Sequence, residues 1–300
     1  MTHKIYLFAA ARMGNAIFRY LAGVLFCILY GFRLSDDDSD LQETVDDTFF
    51  LRWMNEYNKT GVLPAFDTNK NYKFYGYFQH DTVYLKHKEE ILQYIRENPE
   101  YVLRGDNGQS IRAIDLLDPV IDGSDIPSYD LVLHLRLEDF IVIGFAINPD
   151  VIRSFLNNLK EKGQSSSTLT IVVKQPTSQM EVKYIEYVTQ DWKSSGSTVI
   201  IESNSYMKDF HIMKNARALI CSCSTFCWSA ALLSDCLETA YMPNVHHPDR
   251  IWETFRRPVE DTRPCYPNME CSIYKLGQVL GVKVPLPRTR RTTRIRELLR

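Results

Sequence analysis

Polar side chains able to bind an anion or move a proton stand at the end of a predicted buried strand, in residues 134–139. Alternation along an extended chain places His134, Arg136 and Glu138 on one face. A guanidinium suits bidentate binding of phosphate, and a carboxylate beside it could accept a proton. The segment therefore predicts an anion site next to Glu138 and Asp139. A purely structural Arg136–Asp139 pair inside the loop is the alternative.

A second polar segment, residues 221–226, ends another predicted strand and begins a helix. Its hydroxyls and the backbone N–H groups of a helix start form a phosphate-binding cradle that lacks the lysine of a P-loop. We call it the cradle segment, and its candidate ligands are Ser222, Ser224, Thr225 and Phe226. Simple capping of the helix by Ser224 or Thr225 is the alternative.

Two further positions are candidates only in combination with these. Gly14 and Asn15 follow the first predicted strand, at the start of a long apolar helix. Gly14 lets the backbone approach a ligand closely, although a turn of this kind is also an ordinary connection. Asp209 lies about one helix upstream of the cradle segment, where a single acid is also typical of a cap or a surface.

These positions are held by a regular alternation of predicted strands and helices. Such alternation predicts a parallel sheet with right-handed crossovers, whose ligands bind beyond the carboxyl ends of the strands. We expect an α/β fold of two Rossmann-like domains facing a cleft, residues 1–128 and 129–287, followed by a basic tail at 288–300. Strands are predicted at 5–8, 131–135, 168–173, 198–201 and 218–222, and helices at 86–97, 149–162, 182–193, 205–215 and 226–234, besides the apolar helix that ends near Gly31.

Composition excludes several classes of protein. With 35 basic and 37 acidic residues, a net charge of −2 and a pI near 6.4, the 300-residue chain lacks the wholly basic surface of a dedicated nucleic-acid binder. A hydrophobic content of 45% excludes wholesale disorder. The longest apolar stretch, residues 20–32, is shorter than the roughly 20 residues that span a bilayer. We therefore expect a buried helix, no transmembrane segment and a cytoplasmic protein.

Cysteine spacing and charge runs carry weaker signals. Cys221, Cys223 and Cys227 have only a loose likeness to metal-ligand spacing, and no His or Cys pair completes the set, so we expect buried thiols and no metal. Residues 35–47 carry seven acids and no base, whereas residues 288–300 carry six Arg and one Glu. Such runs are usually solvated, although the basic tail could also bind an anionic partner or a neighbouring subunit.

Four motifs, in the same order along the chain, resemble those of the α-1,2-fucosyltransferases. Residues 12–20 (RMGNAIFRY) are similar to the family's RLGNQMFQY, and residues 75–79 (YGYFQ) to its G-Y-W/F-Q segment. Residues 134–140 (HLRLEDF) resemble H-x-R-R-G-D-Y, and residues 222–231 (SCSTFCWSAA) resemble SNSSFSWWAA. The match is specific because all four motifs occur together.

The resemblance implies a GT-B fold and an inverting, metal-independent glycosyltransferase that takes fucose from GDP-fucose. It implies that Arg136 holds the donor's β-phosphate. It also implies that Asp209 accepts from guanine N1–H and N2–H₂, as in the α-1,6 relatives. We expect the acceptor on the N-terminal domain, where residues 75–80 offer aromatic stacking for a sugar ring, with Tyr77 and Gln79 as the candidate acceptor-binding residues. The implied donor-binding residues are Gly14, Asn15, His134, Arg136, Asp209, Ser222, Ser224, Thr225 and Phe226.

The implied mechanism is direct displacement at the anomeric carbon. Arg136 and the N–H groups of the cradle segment would stabilise the departing diphosphate. Glu138 and Asp139 are the nearest carboxylates able to take the proton of the acceptor hydroxyl. We expect Asp139 to orient Arg136 instead, which leaves Glu138 as the candidate base.

The sequence also departs from the family pattern. The family's second Arg is Leu137 here, its Gly is Glu138, and its Gln after Gly-Asn is Ala16. Loss of the Arg removes a charge-assisted bond of about 1.5–3 kcal/mol. A transferase for another donor such as UDP-xylose, or an inactive nucleotide- or glycan-binding relative, is therefore an alternative. A metal-dependent GT-A transferase is a third, from the acidic triad at 36–38, but we expect that triad to follow a helix rather than a strand.

Overall fold

The alternating pattern corresponds to two separate parallel sheets in the computed structural model. The structure describes residues 3–8, 12–105, 108–118, 127–144, 146–163, 166–244, 265–267 and 273–282. The strands are β1 (Lys4–Leu7), β2 (Arg33–Ser35), β3 (Glu43–Val45), β4 (Tyr72–Phe74), β5 (Val102–Arg104), β6 (Ser110–Arg112), β7 (Tyr129–Leu135), β8 (Thr168–Val173), β9 (Thr198–Glu202), β10 (Ala216–Ile220), β11 (Thr239–Asn244) and β12 (Cys265–Pro267).

Helices connect most of these strands, as the right-handed crossover of parallel strands requires. A short 3₁₀-helix occupies Ala113–Leu116. The α-helices are α1 (Met13–Tyr30), α2 (Asp47–Thr60), α3 (Asp81–Lys86), α4 (Lys88–Glu97), α5 (Glu138–Ile143), α6 (Pro149–Glu161), α7 (Gln179–Ser194), α8 (Tyr206–Lys214), α9 (Thr225–Leu232) and α10 (Ile273–Leu280).

The strand orders confirm the predicted α/β fold of two Rossmann-like units. The first sheet has the order β2-β1-β4-β3 and the second β12-β11-β10-β7-β8-β9, and the strand pairs in both sheets are parallel. Counted from β7, the second order is 3-2-1-4-5-6, that of a doubly wound dinucleotide-binding sheet. Strand order reverses between β7 and β10, so a crevice for a ligand is expected outside the carboxyl ends of these two strands.

Several predicted elements are confirmed and others need correction. Strand β8 and helices α6, α8 and α9 lie where they were predicted, within two residues. The helix predicted at 86–97 is two helices that meet at His87. The extended chain predicted to run through Glu138 ends at Leu135, and Glu138 begins α5 instead. Glu138 therefore owes its position to a helix start and not to strand alternation.

Helix α1 is the centre of the molecule. It is long and apolar enough to cross a membrane by length and composition, but 78% of it is buried inside the protein. It packs on β1 and also on α9 of the second unit, so one apolar core continues from the first sheet to the α8–α9 face of the second. A second core lies on the opposite face, under α5, α6, α7 and α10. The apolar stretch is thus a buried core helix, as predicted.

The predicted domain boundary at 128/129 falls between the 3₁₀-helix and β7, and part of that loop, residues 119–126, lies outside the described residues. The basic tail at 288–300 also lies outside them. The boundary and the role of the tail therefore stay predictions.

Two glycines of α1 provide a test of its packing. A Cβ on Gly14 would lie 2.5 Å from the backbone N of Phe226, whereas a Cβ on Gly23 would meet only the ends of the Leu7 and Leu34 side chains, at 2.8 and 2.9 Å. We expect Gly14→Ala to lower the free energy of unfolding by about 1–3 kcal/mol because backbone cannot move aside. Gly23→Ala should change it by less than about 1 kcal/mol, since alanine also favours the helix. Urea unfolding of both variants checks this, and equal losses would contradict it.

Candidate functional site

The carboxyl ends of β7 and β10 bring together two of the predicted donor-binding residues. The strands are neighbours in register, with Leu133 opposite Ile220, so the residues that follow them meet at the switch point of the sheet. His134 Nδ1 lies 2.7 Å from Ser222 Oγ, and both side chains are buried. Both residues were predicted to follow strands, but their direct hydrogen bond was not predicted.

The buried imidazole of His134 is neutral at ordinary pH. Burial, and secondarily the charge of Arg136, lowers the pKa of His134 from 6.5 to about 3. A neutral ring carries one N–H and one acceptor nitrogen, so His134 can orient the Ser222 hydroxyl without adding charge to the site. Its contribution is a hydrogen bond rather than a proton or a cation.

Arg136 is the centre of an ion-pair cluster that joins the two units. Its Nη2 lies 3.1 Å from Asp139 Oδ1 and 3.5 Å from Glu138 Oε2. The second oxygen of Asp139 accepts from Arg12 Nη1 at 2.8 Å, and Arg12 belongs to the first unit. Lys174 Nζ lies 3.0 Å from Glu138 Oε1. These five residues, which we call the bridging cluster, therefore include both carboxylates that were proposed for catalysis.

The bridging cluster carries three cations and two carboxylates and is net positive. Burial raises the pKa of Asp139, but the hydrogen bonds and charges of Arg12 and Arg136 outweigh burial and hold that pKa below its ordinary value. Asp139 therefore stays ionised and holds the two guanidiniums side by side. A net positive cluster with guanidinium N–H groups at its edge is a setting that binds phosphate.

Arg12 is a site residue that the sequence analysis did not single out. It was named only within the turn at 12–15 and the motif at 12–20, with no role of its own, and its place beside Asp139 depends on how the two units pack. The sequence did contain a hint, because Arg12 lies between β1 and α1, where parallel sheets place ligand-binding residues. The contact itself could not be predicted, because nothing in the sequence pairs residue 12 with residue 139.

The cradle segment is in direct contact with the first unit. Asn15 Oδ1 accepts from Gln79 Nε2 at 2.8 Å and from Thr225 Oγ1 at 2.9 Å, so one side-chain oxygen links the two units. A Cβ on residue 14 would not fit, because it would meet the backbone of Phe226. The close backbone approach that Gly14 permits is therefore to the start of α9. The hydroxyl of Thr225 already donates to Asn15.

The start of α9 is not capped by its own N-cap residue. Ser224 is the N-cap residue, but its side chain makes no capping hydrogen bond, so simple capping by Ser224, the alternative considered from the sequence, is absent. By helix geometry the N–H groups of Thr225, Phe226 and Cys227 have no partner within the helix. Gly14 of the first unit covers the Phe226 N–H closely, which leaves those of Thr225 and Cys227 as candidate anion donors.

Asp209 and Asn204 form a local pair at the carboxyl edge of the second sheet. Asp209 lies in the first turn of α8, and its Oδ1 accepts from the backbone and side-chain N–H groups of Asn204, each at 3.1 Å. Burial raises the pKa of Asp209, and the Asn204 hydrogen bonds offset part of this rise. The neighbouring Phe210 packs on Phe226 with ring centroids 5.3 Å apart, which connects Asp209 to the cradle segment.

The two predicted acceptor residues differ in exposure. Tyr77 is 41% exposed, and its backbone N–H donates to the Asp47 carboxylate at 2.9 Å. Gln79 is 1% exposed and donates to Asn15. Gln79 thus holds Asn15 in place, whereas Tyr77 presents a ring at the surface. The turn between them needs a left-handed backbone at Phe78, with φ of 52°.

The acidic triad and the crowded cysteines were the candidate metal ligands. Residues 36–38 follow the short strand β2, and not a helix as expected, because three-residue strands have no readable periodicity. Lys4 Nζ lies 3.5 Å from an Asp37 oxygen and 3.2 Å from one of Asp40. Cys221 and Cys227 are buried free thiols. Within the described residues no cluster of three metal-ligating side chains occurs.

The sequence matches no protein-family model and no curated protein. The chain is similar to the E. coli heptosyltransferase WaaC with ADP, with a TM-score of 0.42 and 8% identity over 93% of this chain and 99% of that one. It is also similar to the iron-containing dodecameric glycosyltransferase TibC from enterotoxigenic E. coli H10407, with a TM-score of 0.35 and 12% identity over 98% and 71% of the two chains. Likeness at this level carries no information about substrate or reaction.

Neutral, buried His134 makes stability depend on pH. Between pH 6.5 and about 3 the unfolded state takes up a proton that the folded state excludes, so acid favours unfolding. The free energy of unfolding should fall by up to about 1.4 kcal/mol for each pH unit below 6.5 from this residue. In His134→Gln, which keeps a hydrogen-bonding group for Ser222, that part of the slope should vanish. Urea unfolding at pH 7, 6 and 5 measures it, and equal slopes in the two proteins would contradict the assignment.

Proposed function

We propose that this chain is an inverting, metal-independent glycosyltransferase that transfers fucose from GDP-fucose to a hydroxyl of a glycan. The observation that carries the proposal is the bridging cluster. Two guanidiniums, Arg12 and Arg136, are held by Asp139 where the carboxyl ends of the two parallel sheets meet. That location is the ligand crevice of a doubly wound sheet, and the charge suits a diphosphate.

The donor would lie across the switch point of the second sheet. Its diphosphate would contact Arg136, Arg12 and the N–H groups at the start of α9, next to the Ser222–His134 pair. Asp209 would accept from guanine N1–H and N2–H₂ together through its two oxygens, whereas uracil offers one such donor. This contact requires that Oδ1, which accepts from Asn204, is shared with the base. With both oxygens engaged, Asp209 favours GDP over UDP.

The reaction would proceed by one displacement. The acceptor oxygen forms a bond to the anomeric carbon while the bond from that carbon to the diphosphate oxygen breaks, and the configuration inverts. The guanidiniums and the α9 N–H groups stabilise the charge that develops on the leaving diphosphate. Glu138 would take the acceptor proton, for which it must turn from Arg136 and Lys174. Asp139 positions the two guanidiniums.

The acceptor would be a glycan that binds near Tyr77. The protein would act in the cytoplasm, in glycan assembly of bacterial or viral type.

A second candidate is a nucleotide- or glycan-binding protein that does not catalyse transfer, or a transferase for another donor such as UDP-xylose. It is favoured by Leu137, which stands in place of the family's second Arg and is 3% exposed in the apolar core. Arg136 moreover already contacts two carboxylates, Glu138 and Asp139.

Thermal-shift titration with GDP, UDP, GDP-fucose and UDP-xylose in EDTA separates these candidates. A ligand at 100 times its Kd stabilises the protein by about 2.7 kcal/mol.

The contribution of the guanidiniums can be measured with a matched control. Arg136→Gln and Arg12→Gln should each weaken GDP binding by roughly 10- to 100-fold, since a charge-assisted bond is worth about 1.5–3 kcal/mol. Arg153 forms a similar pair with Asp191 on α6 and α7, with the same 27% side-chain exposure as Arg136. Arg153→Gln should leave GDP binding unchanged. Isothermal titration at fixed salt decides, and equal losses in all three variants would refute a phosphate site at the bridging cluster.

The base is tested by turnover rather than binding. Glu138→Gln should reduce kcat by about 100-fold or more while leaving the affinity for GDP within about threefold, because general-base catalysis contributes roughly that factor. Release of GDP in the presence of acceptor measures kcat. Turnover that persists in Glu138→Gln and disappears in Arg136→Gln would show that another group takes the proton.

A further inference from the structure

Lys174 is the cation of the bridging cluster that takes no part in the donor contacts proposed above. It follows β8, the strand next to β7, and Leu135 of β7 pairs with Val173 of β8. Arg136 and Lys174 therefore leave the sheet at the same level, at the carboxyl edge where a doubly wound sheet binds its ligand. The side chain of Lys174 is 72% exposed, so its ammonium can reach a ligand at that edge.

The carboxylate of Glu138 shows that both cations can contact one anion at the same time. Its Oε2 lies 3.5 Å from Arg136 Nη2, and its Oε1 lies 3.0 Å from Lys174 Nζ. Two cations that follow neighbouring strands thus hold one carboxylate between them. A phosphate group offers oxygens at a similar spacing and carries more charge. The same two cations can therefore bind a phosphate once Glu138 has turned away.

The contact between Lys174 and Glu138 is weak enough to be exchanged. Although the ammonium lies within ion-pair distance, Glu138 Oε1 accepts no hydrogen bond among the described residues. An ion pair with one partner this exposed contributes little to stability. Asp139, by contrast, accepts hydrogen bonds from both Arg12 and Arg136. Of the two carboxylates in the bridging cluster, Glu138 is therefore the one that a diphosphate would displace.

The charge of a nucleoside diphosphate favours the recruitment of a third cation. Arg136 contacts both Glu138 and Asp139, and Arg12 contacts Asp139, so the two guanidiniums already share these carboxylates. In the part of the chain that the structure describes, Glu138 is the one acid within ion-pair distance of Lys174. When Glu138 turns away, the whole charge of Lys174 is available to a phosphate.

We infer that Lys174 is a third donor-binding cation, which binds the diphosphate together with Arg136 in the place that the Glu138 carboxylate occupies. The ammonium moves from Glu138 to a phosphate oxygen, and no covalent bond changes. Glu138 is thereby released to take the proton of the acceptor hydroxyl. This inference rests on the proposed function and adds to it a donor-binding residue at the end of β8.

Isothermal titration of the full-length chain with GDP tests the inference. Lys174→Gln removes a charge at an exposed position, so it should leave the Tm unchanged. It should weaken GDP binding roughly tenfold, the effect of losing one charge-assisted bond. Lys174→Arg keeps the charge and should retain most of the affinity. GDP binding that is unchanged in Lys174→Gln, or reduced as much in Lys174→Arg, would overturn the inference.

Lys70 provides a matched control for the loss of one positive charge. It is an exposed lysine that also pairs with a glutamate, Glu43, and it precedes β4 at the amino end of the first sheet. Lys70→Gln should change GDP binding by less than about twofold, because solvent and salt screen a distant charge. Equal losses in Lys70→Gln and Lys174→Gln would reflect net charge alone and would refute the contact with the diphosphate.

A second background distinguishes a ligand of the donor from a partner of Glu138. A lysine that served only to pair with Glu138 would have no effect on GDP binding in Glu138→Gln. We expect Lys174→Gln to cause the same loss, roughly tenfold, in that background. Glu138→Gln alone should bind GDP as tightly as the unsubstituted chain or up to about threefold more tightly, since it loses a weakly held competitor. No effect of Lys174→Gln in that background would refute the donor contact.

The same variants separate this inference from the proposed function. A chain whose GDP binding depends on Arg136 but not on Lys174 keeps the proposed function and loses only this inference. One that binds GDP through Lys174 but transfers no fucose keeps the diphosphate contact and loses the proposed transfer. One that binds neither GDP nor GDP-fucose loses both.

Discussion

The contact between the starts of α1 and α9 is the constraint on which the rest of the structure depends. It needs Gly14, because any Cβ there would meet the backbone of Phe226, and it is fixed by the single oxygen of Asn15 that binds both Gln79 and Thr225. Since both helices follow strands of parallel sheets, this contact sets the two carboxyl edges against each other. The ligand-binding edges of the two units therefore meet as a result of close packing, and the shared apolar core behind α1 stabilises that arrangement.

The charge pattern follows from the same packing. Leu137 occupies the position of the family's second Arg, and its side chain points into the apolar core beneath α5, where a guanidinium would have no partner. Arg12 brings a second guanidinium to Asp139 from the other unit instead. A cation supplied across the interface depends on the relative position of the units. Binding of a diphosphate between Arg12 and Arg136 would in turn hold the units together.

The parts of this arrangement that the sequence could predict are those with a long, regular pattern. Strand β8 and helices α6 and α9 have clear periodic patterns, and His134 and Ser222 were each placed at or just after the end of a predicted strand. Their hydrogen bond to each other was not predicted. Strands β2, β3 and β4 are three residues long and show no periodicity, so they were missed, and the acidic triad was placed after a helix in error. The Arg12–Asp139 pair spans 127 positions and depends on the packing of two units. No local pattern encodes such a contact.

Helix α1 shows why a resemblance in motifs does not settle the substrate. Its first turn, with Gly14 and Asn15, packs on the second unit, whereas one turn later Arg19 contacts the strand ends of the first sheet. The first turn is constrained by interface geometry, which any donor of this type would share. Arg19, in the second turn, is buried, donates to the backbone carbonyls of Phe8 and Gly76, and lies in the field of the Asp47 carboxylate. It ties α1 to the strand ends of its own sheet. The motif of α1 is thus explained by packing within and between the two units, and such packing is independent of the sugar that a donor carries.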